Sequence, residues 1–312
     1  MNTAKLDLSV QLAPRNRRGL ALANPVMTAS GTFGYGEEMS PLCDIQRLGA
    51  IICKGTTLAP REGNKQPRIA ETPQGMLNAI GLQNMGVDAL IRDKAPLWAG
   101  WRVPVIVNIA GERLEEYAEL ARRLDGVPGV SGLEINISCP NVASGCMEFG
   151  SNPASAAAVT AAVKKATTLP VIVKLTPNAA DIVAIAQAVA GAGADAVSLI
   201  NTLKGMAIDV KKRQPILGNT TGGLSGPAVK PVALYMVYLV SAAVDVPVIG
   251  GGGISTAQDA LEFIKAGASA VEVGTATFIN PCACTDIIDG LENYMRENAL
   301  QNLKDIIGAA RR

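Results

Sequence analysis

The stretch "LEINISCPN" (133–141) begins as an apolar run and ends on a cysteine followed by proline, a thiol held on a turn. A run so short and apolar reads as a strand buried on both faces, as in parallel sheets. Runs of the same kind recur at 24–30, 49–55, 104–110, 170–176, 195–201, 246–252 and 269–275. Helix-like patterns separate them: Gly86–Trp98, Leu114–Leu124, Pro153–Thr167, Asp181–Ala190, Pro227–Val244, Thr256–Ala266 and a last one from Thr285 to about Ile307. Strand-then-helix order repeated in this way predicts an α/β fold, a (β/α)₈ barrel formed by residues 1–312 as one domain. A doubly wound sheet is the alternative, but it would normally stop at five or six strands.

Two phrases support the count. "AGAGADAVSL" (190–199) and "KAGASAVEVG" (265–274) both end a helix on glycine and enter a strand within a few residues, as short αβ connections do. Three longer connections, 55–86, 139–153 and 202–227, each follow a strand. All three therefore belong to the C-terminal mouth of the barrel, where such folds carry their chemistry.

Composition narrows the chemistry. The chain has 312 residues, 48% of them hydrophobic but only 4% aromatic, so Ala, Val, Ile and Leu must build the core. There is no histidine, which removes Ser-His-Asp triads and histidine-ligated metals. The formal net charge is +1 with no basic block, which argues against a nucleic-acid partner. The six cysteines form no Cys-x-x-Cys, so no metal site is expected on this chain. The N-terminus is charged where a signal peptide would be apolar, and the longest apolar stretch, 232–244, is too short to span a bilayer. A cytoplasmic protein with reduced thiols and no membrane partner is the simplest expectation.

The strand ends suggest a ligand. "GGGGIS" (250–255) and "VGTATF" (273–278) follow the seventh and eighth strands, where barrels bind phosphate through backbone N–H groups. "GLSGP" (223–227) adds another glycine-rich turn before a helix. Rossmann spacing after a first strand is absent, so a mononucleotide such as FMN fits better than a dinucleotide. Ser30, Lys54, Asn108, Asn136, Lys174 and Asn201 close successive strands, offering cations and amides but no carboxylate. Such a mouth suits an anionic, amide-rich planar molecule, with the lysines favouring the charge of a reduced flavin. Cys43, Cys53, Cys282 and Cys284 read as small hydrophobes, and Cys146 is ambiguous. Cys139, one residue past a strand end, is the natural proton acceptor. A thiol with a pKa of about 8.5 is ionised to only a few per cent at pH 7, so activity should rise in mildly alkaline solution.

The motifs "NISCPN", "NAIGLQN", "VIVKLTPN", "INTLKG", "GGLSGPAVKP", "GGGGI" and "VGTA", taken together, resemble the class 1 dihydroorotate dehydrogenases, from about Leu6 to the C-terminal helix. "NAIGLQN" resembles subclass 1B, where subclass 1A tends to carry a Met-Gly-Leu-Pro version. The membrane-associated class 2 enzymes have a serine base and an N-terminal extension, which Cys139 and the short N-terminus do not match. The resemblance implies oxidation of dihydroorotate to orotate, with Cys139 taking the C5 proton while C6 gives hydride to N5 of FMN. It implies substrate contacts at Lys54, Asn78, Ala79, Ile80, Gly81, Leu82, Asn136, Asn141, Asn201 and Thr202. For FMN it implies Ser30, Lys54, Gly55, Asn108, Asn136, Lys174 and Ile200, then Gly226, Gly252, Gly253, Gly274 and Thr275 around the phosphate. It also implies a partner subunit carrying FAD and a [2Fe–2S] cluster, NAD⁺ as final acceptor, and two copies of each subunit. The rivals are a fumarate-linked homodimer like class 1A, a flavoprotein like dihydropyrimidine dehydrogenase, and a flavin-binding scaffold without catalysis. Separately, "VALYMVYLVSAAV" (232–244) shows little polar face for an outer helix. It is expected to be covered, either by another subunit or by a helix or loop of its own chain.

Overall fold

The computed structural model describes residues 6–137 and 149–311. All the predicted strands form: β1 (Val26–Thr28), β2 (Ala50–Thr56), β3 (Val105–Ile109), β4 (Val130–Asn136), β5 (Val171–Lys174), β6 (Ala196–Leu199), β7 (Val248–Gly251) and β8 (Ala270–Val273). They pair in parallel, each with its sequence neighbours, and β8 closes on β1 to complete the (β/α)₈ barrel. Every residue of β5, β6, β7 and β8 is buried, so these strands need no alternation of polar and apolar residues.

The helices are α1 (Gly86–Asp93), α2 (Ala95–Trp98), α3 (Leu114–Leu124), α4 (Pro153–Ala166), α5 (Ile182–Gly191), α6 (Lys230–Ala243), α7 (Ala257–Ala266), α8 (Ala276–Ile279) and α9 (Ala283–Glu297). Polar caps set several starts. Asn152 caps α4, Asp181 caps α5, and Thr256 with Asp259 forms a capping box on α7. Helix α3 buries Tyr117, Leu120, Ala121 and Leu124, one stripe at helical spacing.

Two predicted helices are interrupted. The pattern over Gly86–Trp98 breaks at Lys94, because Pro96 lacks an N–H and disfavours helical backbone before it. The last helix ends at Glu297, with Ala299 in the left-handed region (φ 53°), and a separate 3₁₀ turn covers Leu303–Ile306.

The connections after β2 and β6 are not plain loops. Strands Ile69–Thr72 and Gly75–Asn78 form a hairpin, and Gly75–Asn78 pairs in turn with Gly222–Ser225, which pairs with Leu203–Gly205. Ala70, Leu77, Ala79 and Leu217 make a small core of their own beneath this antiparallel sheet. At the opposite end, the hairpin Val10–Gln11/Ala21–Leu22 lies where the strands begin, with Asn16 donating to Asp195 just before β6. Helix α6 buries Ala233, Val237, Val240 and Ser241 but exposes Val232, Tyr235 and Tyr238. No helix among the described residues is long and apolar enough to cross a membrane.

Candidate active site

The mouth is built first by a bulge. Cys53 pairs with Val107 and Thr56 with Ile109, so Lys54 and Gly55 together oppose the single residue Asn108. A bulge of this kind re-aims side chains at the end of a strand. A methyl group at Gly55 would lie 3.1 Å from Asn108 Oδ1 and 3.3 Å from the Leu82 side chain. The predicted residues Gly55, Leu82 and Asn108 therefore meet at one spot, with Lys54 half-buried beside them.

Below this spot the barrel interior is polar. Asn108 and Asn136 end up beside β4 and β5 because Asn108 is in register with Glu134 and Asn136 with Lys174. Asn108 Nδ2 donates to Glu134 Oε2 at 2.6 Å, and Ser198 Oγ donates to Glu134 Oε1 at 2.8 Å. The Lys174 ammonium pairs closely with Glu272 and lies 3.8 Å from Glu134. Burial disfavours the charge of Lys174, but the two carboxylates outweigh it and raise its pKa above the ordinary lysine value. Burial raises the Glu272 pKa to about 8, the charge of Glu134 adding to it and Lys174 opposing it. Asn108 Oδ1 and Glu272 Oε1 are buried and have no hydrogen-bond partner.

This corrects one expectation. The mouth was read as carrying no carboxylate, yet Glu134 and Glu272 sit directly beneath it, both essentially inaccessible. The signal was present in the sequence as a single glutamate inside each of the apolar strands "LEINIS" and "AVEVG". Reading only the last residue of each strand passed over them.

On the other side of the mouth the glycine turns converge. A methyl group on Gly253 would lie 2.9 Å from Gly226 O, and one on Gly226 would lie 3.6 Å from the Thr275 side chain. Both glycines have positive φ, 97° for Gly226 and 78° for Gly253, which L side chains rarely adopt. Thr275 Oγ1 donates to Ser225 Oγ at 2.8 Å. Gly274 lies against Ala29, next to half-buried Ser30, and Gly252 lies against Ile200. These approaches bring Ile200, Gly226, Gly252, Gly253, Gly274 and Thr275 together at the ends of β6, β7 and β8, with Ser30 beside Ala29.

The antiparallel sheet brings the remaining polar residues in. Asn78 is in register with Gly223 and donates to its carbonyl at 3.3 Å. A methyl group on Gly223 would fall 1.9 Å from Thr202 Oγ1, so Thr202 rests on this strand. Asn201 Oδ1 accepts from the Thr202 N–H at 2.8 Å. The carbonyls of Ala79, Ile80 and Leu82 already accept bonds from Asn64 and Asn84, which fixes this turn, including Gly81, over the mouth.

A profile of the dihydroorotate dehydrogenase family matches residues 14–295. The chain belongs to that family. It is 59% identical over 305 residues to "Dihydroorotate dehydrogenase B (NAD(+)), catalytic subunit" of Pelobacter propionicus, covering 98% of this chain and 99% of that one. The protein of the same name from Desulforamulus reducens is 58% identical over 306 residues, covering 98% and 99%. That of Geobacter sulfurreducens is 58% identical over 305 residues, covering 98% of each chain. Dihydroorotate dehydrogenases are oxidoreductases of pyrimidine biosynthesis that convert dihydroorotate to orotate, and this chain has that activity.

Two predicted residues of this dehydrogenase, Cys139 and Asn141, lie outside the described residues, as does Cys146. The chain on either side of that segment is well anchored. Gly150 N–H donates to Ile137 O at 2.9 Å, Tyr117 donates its hydroxyl to Asn136 O at 3.0 Å, and Phe149 packs edge-on against Tyr117. Of the other cysteines, Cys53 and Cys284 are buried and burial pushes both thiols up to about 12, which makes them inert. Cys43 and Cys282 are only half-buried, not the fully interior hydrophobes expected.

Proposed function

We propose that this chain, a single domain over residues 1–312, is the catalytic subunit of an NAD-linked, subclass 1B dihydroorotate dehydrogenase that holds FMN in the barrel mouth. Its electrons pass to a partner subunit carrying FAD and a [2Fe–2S] cluster, in an assembly of two catalytic and two electron-transfer subunits, with NAD⁺ as final acceptor in the cytoplasm. The names of the relatives support the NAD linkage and the existence of a second subunit.

The observation that carries the FMN reading is the buried, unpartnered Asn108 Oδ1 beside the Lys54–Gly55 bulge. Because Glu134 holds the amide nitrogen, the oxygen is left beside Gly55 as an acceptor that a ligand donor would satisfy. Bound FMN supplies a hydride acceptor. Asn108, Asn136, Lys174, Lys54 and Gly55, with Ser30 and Ile200, would hold its ring and chain. Gly226, Gly252, Gly253, Gly274 and Thr275 would take the phosphate through backbone N–H groups. Lys54, Asn78, Ala79, Ile80, Gly81, Leu82, Asn136, Asn141, Asn201 and Thr202 would orient dihydroorotate above the ring. Cys139 would receive the C5 proton, and the turn at 79–82 would limit access of water.

The test is anaerobic reduction of the purified chain. Dihydroorotate should bleach the bound flavin, and NAD⁺ should be reduced only once the partner subunit is added. Robust NAD⁺ reduction by the chain alone would refute the two-subunit reading. Reoxidation by fumarate would favour the class 1A-like alternative, and bleaching by dihydrouracil alone would favour the dihydropyrimidine dehydrogenase-like one.

A further inference from the structure

Strands β4 and β8 stand opposite each other in the barrel, four places apart around the ring. Their glutamates nevertheless reach the same Lys174 ammonium, so Glu134 and Glu272 meet near the barrel axis. Two buried carboxylates and one buried cation leave an excess negative charge that the interior does not tolerate.

The hydrogen bonds distinguish the two acids. Glu134 accepts from Asn108 and from Ser198 in addition to its approach to Lys174, so both of its oxygens have donors. Glu272 accepts from Lys174 at Oε2 while Oε1 is buried without a partner, a costly arrangement for an ionised carboxylate. Among the described residues, the surrounding elements offer neither glutamate a second ion pair. Met27 of β1 and Gly251 of β7 are in register with Glu272, and Asn108 of β3 and Ser198 of β6 bond Glu134; none of the four carries a charge. On β2, Cys53 is a buried thiol, and the half-exposed Lys54 makes no ion pair with either glutamate among the described residues.

We propose that Glu272 is a proton-exchanging residue beneath the flavin, protonated whenever the ring carries negative charge and able to lose that proton when the ring is neutral. This rests on the flavin reading given above. The raised pKa of Glu272 agrees with it. A bound flavin that accepted hydride from C6 of dihydroorotate would gain two electrons and one proton, and with them one negative charge. In alkaline solution one further proton then comes from solvent and forms the O–H bond of Glu272. No other oxidant or reductant is required. Glu272 touches no reacting atom, so it acts through Lys174 and is a positioning residue.

The experiment is a potentiometric titration of flavin-loaded wild type and Glu272→Gln between pH 6 and 9. In the wild type, flavin reduction should gain one additional proton per two electrons above roughly pH 8, a tenfold change in the reduction equilibrium per pH unit. The E272Q variant should lack this gain. Titration of the flavin itself would produce the opposite trend, losing a proton as pH rises. A wild type with an unchanged proton count through pH 9, or a variant that keeps the gain, would overturn the proposal. A reduced-minus-oxidised infrared spectrum of the wild type at pH 9 checks the same point without the variant. A protonated-carboxyl band should appear on reduction, and its absence would overturn the proposal. A wild-type protein that carries no flavin would instead sink the functional reading, and this one with it.

Discussion

Replacing Lys174 with methionine keeps the side-chain stem and removes the cation between Glu134 and Glu272. In the flavin-free protein near neutral pH, Glu272 already holds a proton, because burial and the charge of Glu134 raise it to about 8. Glu134 then loses its cation at 3.8 Å and must either stay charged in the interior or take a proton as well. Taking a proton at pH 7 against an ordinary glutamate pKa of about 4.3 costs about 4 kcal/mol, an upper bound on the loss. At pH 5 the same step costs only about 1 kcal/mol. A chain of this length changes stability by roughly 0.7 kcal/mol per degree near its midpoint, so Tm should fall by up to about 6 °C at pH 7 and about 1–2 °C at pH 5. The sign follows from linkage. A carboxyl raised in the folded state binds a proton that the unfolded chain does not, so stability is present below the ordinary glutamate range and lost as pH rises. Scanning calorimetry of flavin-free wild type and K174M at pH 5, 6 and 7 measures this, flavin being removed because bound ligand would add its own stabilisation. Adding Glu134→Gln to the variant should recover most of the loss at pH 7. A Tm loss independent of pH, or larger at pH 5, would refute the electrostatic account.

Gly223→Ala would set a methyl group 1.9 Å from Thr202 Oγ1, so the apparent KM for dihydroorotate should rise roughly tenfold or more by misplacing that residue, with flavin content unchanged. An unaltered KM would remove Thr202 from the substrate contacts. Cys139→Ser should retain flavin and orotate binding but slow flavin reduction near pH 7 by roughly a hundredfold or more, read by stopped-flow absorbance. Thr256→Ala removes the capping box of α7 and should cost about 1 kcal/mol, a Tm change of about 1–2 °C in the calorimeter. Tyr235→Glu, on the exposed apolar face of α6, should reduce the assembly size in gel filtration if a subunit covers that face.

The barrel was legible because its interior strands are unbroken runs such as "PVIVNIA" and "PVIVKLT", which polar turns bracket on both sides. Ser30, Lys54, Asn108, Asn136 and Lys174 were legible as the polar ends of those runs. The antiparallel sheet at the mouth was not, since "GMLN" and "GGLS" have little strand character of their own and pair across well over a hundred residues. Their pairing depends on close backbone approach, as at Gly75, where a methyl group would lie 2.0 Å from Ser225 O. Glu134 and Glu272 were missed because a charged residue in a buried strand gains a meaning only when its partner is known. That partner, Lys174, comes from a third strand.

The same sheet ties the excursion after β2 to the excursion after β6. One of them carries Asn78 and the turn above it, the other Thr202 and Gly226, so the two halves of the rim are stitched into a single bracket. Residue insertions or deletions in either half would shift the register of both, and the length of one half is thereby constrained by the other. Proteases should find both halves resistant together or vulnerable together, because releasing one strand strips the other of its hydrogen-bonding neighbour.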